Sequence, residues 1–378
     1  MSETLVAPMR AWLVGPLDRD VSDAIERLRR APDVRQIAVM PDVHLATDVC
    51  VGVVVATLDR IYPQAVGGDI GCGMLAVAFD APARVLAGPR AAGDVLAALG
   101  RAVPSRRRNR RSAIEMPAEL AVELSDPVLE TKRRALEPIE FATLGSGNHF
   151  IELQADESDR LWLMVHSGSR GIGPAIRDHH MRLGESVGGG LRAIEARSEH
   201  GANYLSDAAW ARRFAEASRR GMAVEAGAAV EAIVGARLCW ETVVTTDHNH
   251  VSLERHGGRD VWIHRKGAMP AARGQAGVLP GSMGDTSFHV EGRGHEDALC
   301  SSAHGAGRAL SRTAARAKVT ERELRRQMQG VWFDYRLGDL LRDEAPAAYK
   351  DIRAVLHAQR ELVTVTRVLR PVLNYKGT

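Results

Sequence analysis

Apolar residues fall in short runs broken by Gly, Pro and Asp over the first eighty positions of the chain. The runs RQIAVMPDV (35–43), VCVGVVVATL (49–58) and GMLAVAFD (73–80) are rich in Val and Ile and read as strands. AAGDVLAALGRAV (91–103) then spaces its apolar residues at helical intervals. NHFIELQ (148–154) and LWLMVHSGSRGIG (161–173) return to the strand pattern, the second ending in a Gly and Ser loop. From 174 to about 244 the pattern is helical, Ala-rich and amphipathic, broken at GESVGGG. Alternation resumes in HVSLERHGGRDVWIHRKGA, which predicts a β-hairpin on a Gly-Gly turn. AGVLPGSMGDTSFHVEGRG follows as strand and loop, and CSSAHGAGRALSRTAARAK begins as a small-residue loop and turns helical. The tail reads as helix over 346–367 and ends as RPVLNYKGT.

Strands interspersed with a separate helical block predict an α+β fold, a mixed β core with surrounding helices, rather than a regular βαβ series. With no internal repeat, heptad run or low-complexity linker, residues 1–378 read as one domain carrying a helical insert at about 174–244. The hydrophobic share of 45% and the charged share of 26% are those of an ordinary globular chain, and no run approaches the ~20 apolar residues of a membrane span. The start, MSETLVAPMRAWL, lacks the basic and apolar blocks of a signal peptide, so a cytoplasmic protein without a membrane partner is expected. In that compartment Cys50, Cys72, Cys239 and Cys300 are thiols or ligands rather than disulfides. A net charge of +3 does not identify a polyanion partner. Locally, Arg106, Arg107, Arg108, Arg110 and Arg111 form a basic run that reads either as a solvated loop or as a phosphate contact.

VGGDIGCGM (66–74) sets Asp69 and Cys72 three residues apart in a frame of four glycines. Ordering so many glycines costs backbone entropy, so the segment needs close backbone approach or positive φ. It is either a tight turn or a pair of metal ligands, Asp69 giving oxygen and Cys72 sulfur. His149, His166 and His248 stand at strand ends beside Asn, Ser or Gly, which leaves room for a cation and for hydrogen bonds behind the imidazoles. The five together suffice for two ions if the thiolate bridges, the arrangement that clamps both oxygens of a phosphoryl displacement. Asp42 and His44 in MPDVH are weaker candidates, left to the surroundings of the ligands or to the fold.

His304 lies in SSAHGAGR without a bulky neighbour. An open imidazole can attack phosphorus and carry it as a phosphoramidate, with Arg308 and a nearby helix start meeting the phosphate charge. LPGSMGDTSF offers backbone amides for a nucleotide, and HRKGA adds Arg265 and Lys266. The absence of GxxxxGK[ST], HExxH and GxSxG removes the P-loop, metalloprotease and serine-hydrolase readings.

Taken in order, PDVH, VGGDIGCGM, GSGNHFIEL, VHSGSRGIG, DHNH, HRKGA, LPGSMG, AHGAGR and the terminal YKG resemble the motif series of the RtcB family, GTP-dependent RNA-splicing and repair ligases. The resemblance runs from about position 40 to the last residues. It implies an RtcB-like fold with a deep central metal and nucleotide cleft. It implies ligation of RNA 3′-phosphate or 2′,3′-cyclic phosphate ends to 5′-hydroxyl ends, with GTP and two Mn2+ ions as cofactors. Carried over by motif, Asp69, Cys72 and His149 would hold one ion, and Cys72, His166 and His248 the other. His304 would be the guanylylated nucleophile. The guanylate pocket would draw on Asn148, His149, Phe150, Ile151 and Glu152, on His248 and Asn249, on Pro280, Gly281, Ser282, Met283 and Ser287, and on His304, Gly305, Ala306, Gly307 and Lys376. The implied partners are RNA with broken ends, tRNA or rRNA, and an archease-type activator or a release-factor-like repair partner. LATDVCVGVVVAT after PDVH and the VPSRRRNRR segment depart from the commoner pattern and resemble a divergent, repair-type branch. Two rival readings use the same residues: a two-metal RNA-end phosphoesterase without ligation, and a decayed metal-dependent RNA-binding module.

Overall fold

The fold is taken from a computed structural model that describes residues 6–377. Two sheets organise it. A seven-stranded sheet runs in the spatial order Leu238–Asp247, Gly73–Pro82, Arg160–Ser167, Phe150–Ala155, Val363–Lys376, Ser287–Gly292, Ala276–Leu279. A five-stranded sheet runs Met9–Ala11, Val34–His44, Val51–Thr57, Arg259–Lys266, Asn249–His256. In these two sheets all neighbours are antiparallel except Met9–Ala11 on Val34–His44, which fits the α+β expectation. Among the described residues no helix is long and apolar enough to cross a membrane.

Period-two alternation gives the large sheet two buried faces. Leu75, Val77, Phe79, Ile151, Leu153, Leu163 and Val165 point into one core, shared with the Pro89–Ala102 and Glu199–Val234 helices. Met74, Ala76, Phe150 and Met164 point the other way. The Glu199–Val234 helix is about 54 Å long at 1.5 Å per residue. It starts where the Ser198 hydroxyl accepts from Gly201 N–H and stops at Gly235, left-handed at φ +73°. Small residues such as Ala211, Ala215 and Ala223 are fully buried along it, so its backbone approaches the sheet closely.

The reading of 174–244 as helix needs revision at its middle and end. Ile172–Leu183 and Glu199–Val234 are helices, but Glu185–Ser186 and Arg192–Glu195 between them are short strands, and Leu238–Asp247 is an edge strand of the large sheet. The segment LCWETVVTTD is rich in β-branched and aromatic residues, which suits a pleated surface better than a helix. The tail departs further, since only Ile352–Ala358 is an α-helix within 346–367, and Val363–Lys376 is a 14-residue strand. Alternating Val and Thr in VTVTRV carry the period of two that decided it. The Gly-Gly hairpin forms as expected, with Gly257 at φ +54° and Gly258 at +79°.

A candidate metal and nucleotide site at one end of the large sheet

Ladder register places the metal-ligand candidates. Met74, His166, Phe150 and Lys376 lie directly opposite one another across four adjacent strands. Cys72 precedes the strand that begins at Gly73, His149 precedes the one at Phe150, and His248 follows the one that ends at Asp247, paired with Gly73. Four side chains far apart in sequence therefore meet at one sheet end.

Glycines make the approach sterically feasible. Gly71 sits at φ +72°, and a Cβ there would lie 2.7 Å from Arg212 Cα of the long helix. A Cβ on Gly73 would lie 2.2 Å from the Thr246 carbonyl oxygen. The buried Arg219 guanidinium donates to the carbonyls of Gly71 (2.7 Å) and Ser167 (2.9 Å), tying the turn to the helix and to the strand that bears His166. Gly71→Ala combines an unfavourable backbone conformation with overlap, and should destabilise the fold by about 3 kcal/mol or more in urea unfolding. A loss under about 1 kcal/mol would show that the turn relaxes freely.

Two donor sets result. Asp69, Cys72 and His149 offer ligand atoms within 4.8 Å of one another, as do Cys72, His166 and His248, and Cys72 belongs to both. His149 Nε2 is 2.9 Å from Asp69 Oδ2. Cys72 Sγ lies 3.6 Å from His149 Nε2 and 3.3 Å from His166 Nε2, and the Nε2 atoms of His166 and His248 are 3.2 Å apart.

Hydrogen bonds on the far ring nitrogens decide whether a cation fits. His166 Nδ1 faces the Asn148 carbonyl at 3.1 Å, so Nδ1–H donates there and Nε2 keeps its lone pair. The Asn249 amide is oriented by donating Nδ2–H to the Asp69 carbonyl (3.0 Å) and accepting from Gly267 N–H at Oδ1 (2.8 Å). His248 Nδ1–H therefore donates to that same Oδ1 at 3.2 Å, which again leaves Nε2 a lone pair. Burial above all, then the neighbouring imidazoles, holds both rings well below their ordinary pKa, hence neutral. Two lone pairs aimed at each other beside a sulfur repel unless a cation lies between them. Burial, then the Asp69 carboxylate, pushes the Cys72 thiol well above its ordinary range, so ionising it calls for a metal. Burial is the largest influence on Asp69 and opposes its charge, but the hydrogen bond and charge of His149, with Cys72 and His248, together outweigh it and lower that pKa. Asp69 Oδ1 is buried without a partner, a further open donor. The set N, N, S with N, O, S suits divalent transition ions.

A cleft of about 310 Å³ opens beside these ligands. Asn148, Phe150, Glu152, Asn249, the 280–283 loop, Ser287, the 304–307 loop and Lys376 all line it, as do Asp69, Cys72, His166 and His248. His149 does not line it but sits against Asp69 and Cys72. Ile151 does not line it: between Phe150 and Glu152 on a strand it must face the opposite side, and it is packed in the helix-covered core.

His304 is not the open residue its small neighbours suggest. Its side chain is 13% exposed, and its Nδ1 is held 2.7 Å from Asp42 Oδ2, which also accepts from the His304 backbone N–H at 3.1 Å. Asp42 is fully buried, so the residue set aside in MPDVH fixes the tautomer of the imidazole and leaves Nε2 free. The ring centroids of His304 and His248 are 4.5 Å apart. His44 also lines the cleft, and burial pulls its pKa down to about 4.

Three expected phosphate partners are placed otherwise. Arg308 lines the cleft, but its guanidinium is spent on Glu344 (3.2 Å), the Asp343 carbonyl (2.7 Å) and the Leu310 carbonyl (3.0 Å). The next helix begins only at Arg312, so no helix start stands at His304. Arg265 is buried against Glu254, two strands of the hairpin sharing the pair, whereas Lys266 does line the cleft. Sequence reasoning passed over Asn374, Tyr349 and Arg312, which line it too. Asn374 alternates with Lys376 on the last strand, a signal missed because RPVLNYKGT was given no strand reading. In the Arg run, Arg108 turns inward onto the carbonyls of Ala102 and Ala142, while the other four stand at the surface beside the segment leading to His149.

The family model described as tRNA-splicing ligase RtcB matches residues 24–137 and 122–377. The chain belongs to the RtcB family. It is similar to the RNA-splicing ligase RtcB of Escherichia coli K12, at 36% identity over 98% of both chains. A second E. coli strain carries RtcB1, 35% identical with the same coverage, and RtcB2, 30% identical over 92% of this chain and 89% of its own. The RtcB match spans the donor sets, Asp42, His304 and Lys376 alike.

Proposed function

We propose that this RNA ligase joins RNA 3′-phosphate or 2′,3′-cyclic phosphate ends to 5′-hydroxyl ends with GTP, through a guanylate carried on His304, as one ligase domain. The observation that carries the reading is the placement of His304, its Nδ1 fixed by Asp42, 4.5 Å ring to ring from His248 of a donor set that shares Cys72 with a second. Two divalent ions, Mn2+ by family resemblance, would be held by Asp69, Cys72 and His149 and by Cys72, His166 and His248; when bound they neutralise phosphate charge.

His304 Nε2 attacks the α-phosphorus of GTP, an N–P bond forms, and pyrophosphate leaves. Asp42 accepts the hydrogen bond from Nδ1–H throughout and stabilises the charge that develops on the ring. A 2′,3′-cyclic end is first opened by water, which breaks the bond from phosphorus to the 2′-oxygen and leaves a 3′-phosphate. An oxygen of the 3′-phosphate then attacks the α-phosphorus, and the N–P bond to His304 breaks and releases the imidazole. The 5′-hydroxyl oxygen attacks the activated 3′-phosphorus, GMP departs, and the hydroxyl proton is lost. The test is a gel of the purified chain with α-labelled GTP and Mn2+, followed by a 3′-phosphate and 5′-hydroxyl oligonucleotide pair. Neither a labelled protein nor a joined strand would end the proposal.

Glu152 suits the guanine base. Its Oε1 and Oε2 accept from Gln154 and Asn374, both at 2.6 Å, and burial raises its pKa to about 8. Guanine N1–H and N2–H donate, so they favour the ionised carboxylate. Below about pH 8 nucleotide binding must drive a proton off, and affinity should rise as pH goes from 6 toward 8. Calorimetry in two buffers of different ionisation enthalpy should register proton release at pH 7. Release unchanged in Glu152→Gln would assign it to another group. The sign for folding is the converse: the raised pKa means stability present below about pH 4.5 is lost as pH rises toward 8.

The surface arginines 106, 107, 110 and 111 would meet RNA phosphates, giving a steep salt dependence. The same proposal includes the cytoplasmic setting, the repair role and an archease-type activator; many unaided turnovers would remove the need for the last.

A further inference from the structure

We propose that His256, Glu296 and Cys300 form a separate binding site for a divalent zinc-like ion, away from the cleft. Their ligand atoms lie within 4.8 Å of one another. They come from two parts of the chain: His256 ends the Asn249–His256 strand, and the other two flank the turn that precedes Ser301–Ala303.

The His256 side chain is nine-tenths buried, and its Nδ1 has no hydrogen-bond partner. Its Nε2 faces Glu254 Oε2 at 3.2 Å, so Nε2–H donates to that carboxylate and Nδ1 carries the lone pair. Glu254 is itself fixed by Arg265 and by the Ser252 hydroxyl (2.6 Å). A carboxylate behind the ring, with the opposite nitrogen bare, is how proteins orient a metal-binding imidazole. The bare Nδ1 lies 3.5 Å from Glu296 Oε2, where a lone pair and an anion repel without a cation between them. Bonds of about 2.0–2.3 Å in a tetrahedral ion space its ligand atoms roughly 3.3–3.7 Å apart, a range that includes this separation. Cys300 supplies sulfur and a partly open position, which favours zinc over magnesium or calcium. His256 and Glu296 line a surface cleft, so the ion has an entry path and a water can complete its shell.

The consequence reaches His304 through the chain. Cys300 is followed directly by the Ser301–Ala303 strand and then His304, so an ion here would tether the hairpin end to the segment carrying that imidazole. This inference does not rest on the ligase reading.

The experiment measures alkylation of each cysteine by mass spectrometry on the full chain, with and without zinc ion as the only additive. Zinc should slow Cys300 alkylation by about tenfold or more, because the bound thiolate is withdrawn from reaction, and leave Cys239 unchanged as an internal reference. Glu296 is exposed, so Glu296→Gln keeps the fold and should remove the protection; His256→Gln should do the same. Equal Cys300 rates with and without zinc in the unmodified chain would overturn the site. So would protection that persists in both variants.

Discussion

Cys72→Ser is expected to empty both donor sets at once, lowering the metal bound in the cleft from two equivalents to none and leaving any ion at His256, Glu296 and Cys300 in place. RNA joining should fall on the order of 10³-fold or more, since several kcal/mol of charge stabilisation goes with the ions. The reason is geometric: Cys72 is the residue common to both sets, with Sγ 3.3 Å from His166 Nε2 and 3.6 Å from His149 Nε2. A serine hydroxyl fills nearly the same space but does not ionise as a soft ligand. It leaves the lone pairs of His166 and His248 facing each other at 3.2 Å with nothing to bind. Asp69→Asn touches one set only and should cost one equivalent of metal. Elemental analysis of the two variants side by side, with circular dichroism to verify the fold, distinguishes the shared sulfur from two independent sites. If Cys72→Ser loses one equivalent, as Asp69→Asn does, the bridge is wrong.

What could be read in advance followed from local rules, and what could not depended on remote partners. The strands at Val34–His44, Val51–Thr57 and Gly73–Pro82 carry Val and Ile runs bounded by turn residues, so their identity is written locally. Candidate ligands were legible because each stands at the end of such a strand among small polar residues. Their convergence came only from the family resemblance and not from local pattern, because it depends on which strands pair: Met74, His166, Phe150 and Lys376 share a row only through pairings distant in sequence. Arg308 illustrates the same limit for charge. Beside HGAG it suggests a free phosphate ligand, yet buried Glu344 and the Asp343 carbonyl, over thirty residues away, claim it. The last strand was misjudged for another reason. Its Val and Thr alternation is interrupted by Arg367, Arg370 and Pro371, and a register shift near Pro371 breaks the regular pairing that a period of two presupposes.

His304→Ala is expected to abolish protein labelling by α-labelled GTP, because the proposed nucleophile is removed and the imidazoles of the donor sets beside it cannot replace it. His166 and His248 turn their Nε2 atoms on Cys72 and on each other. Asp42→Asn separates orientation from nucleophilicity. Asp42 Oδ2 now accepts from both the ring Nδ1 (2.7 Å) and the backbone N–H (3.1 Å) of His304, so an amide there both lowers the negative charge behind the ring and offers a competing donor. Labelling should persist but slow by on the order of 10²- to 10⁴-fold, the range associated with loss of a carboxylate that orients a catalytic imidazole. Supplying RNA whose 3′-phosphate already bears the guanylate bypasses both residues, since the final displacement forms and breaks no bond at His304. Under the proposed sequence His304→Ala should then join strands at a rate near that of the unmodified chain. A variant that fails on the preactivated RNA as badly as on GTP would show that His304 shapes the site rather than carries the nucleotide, and labelling that survives the substitution would place the nucleophile elsewhere.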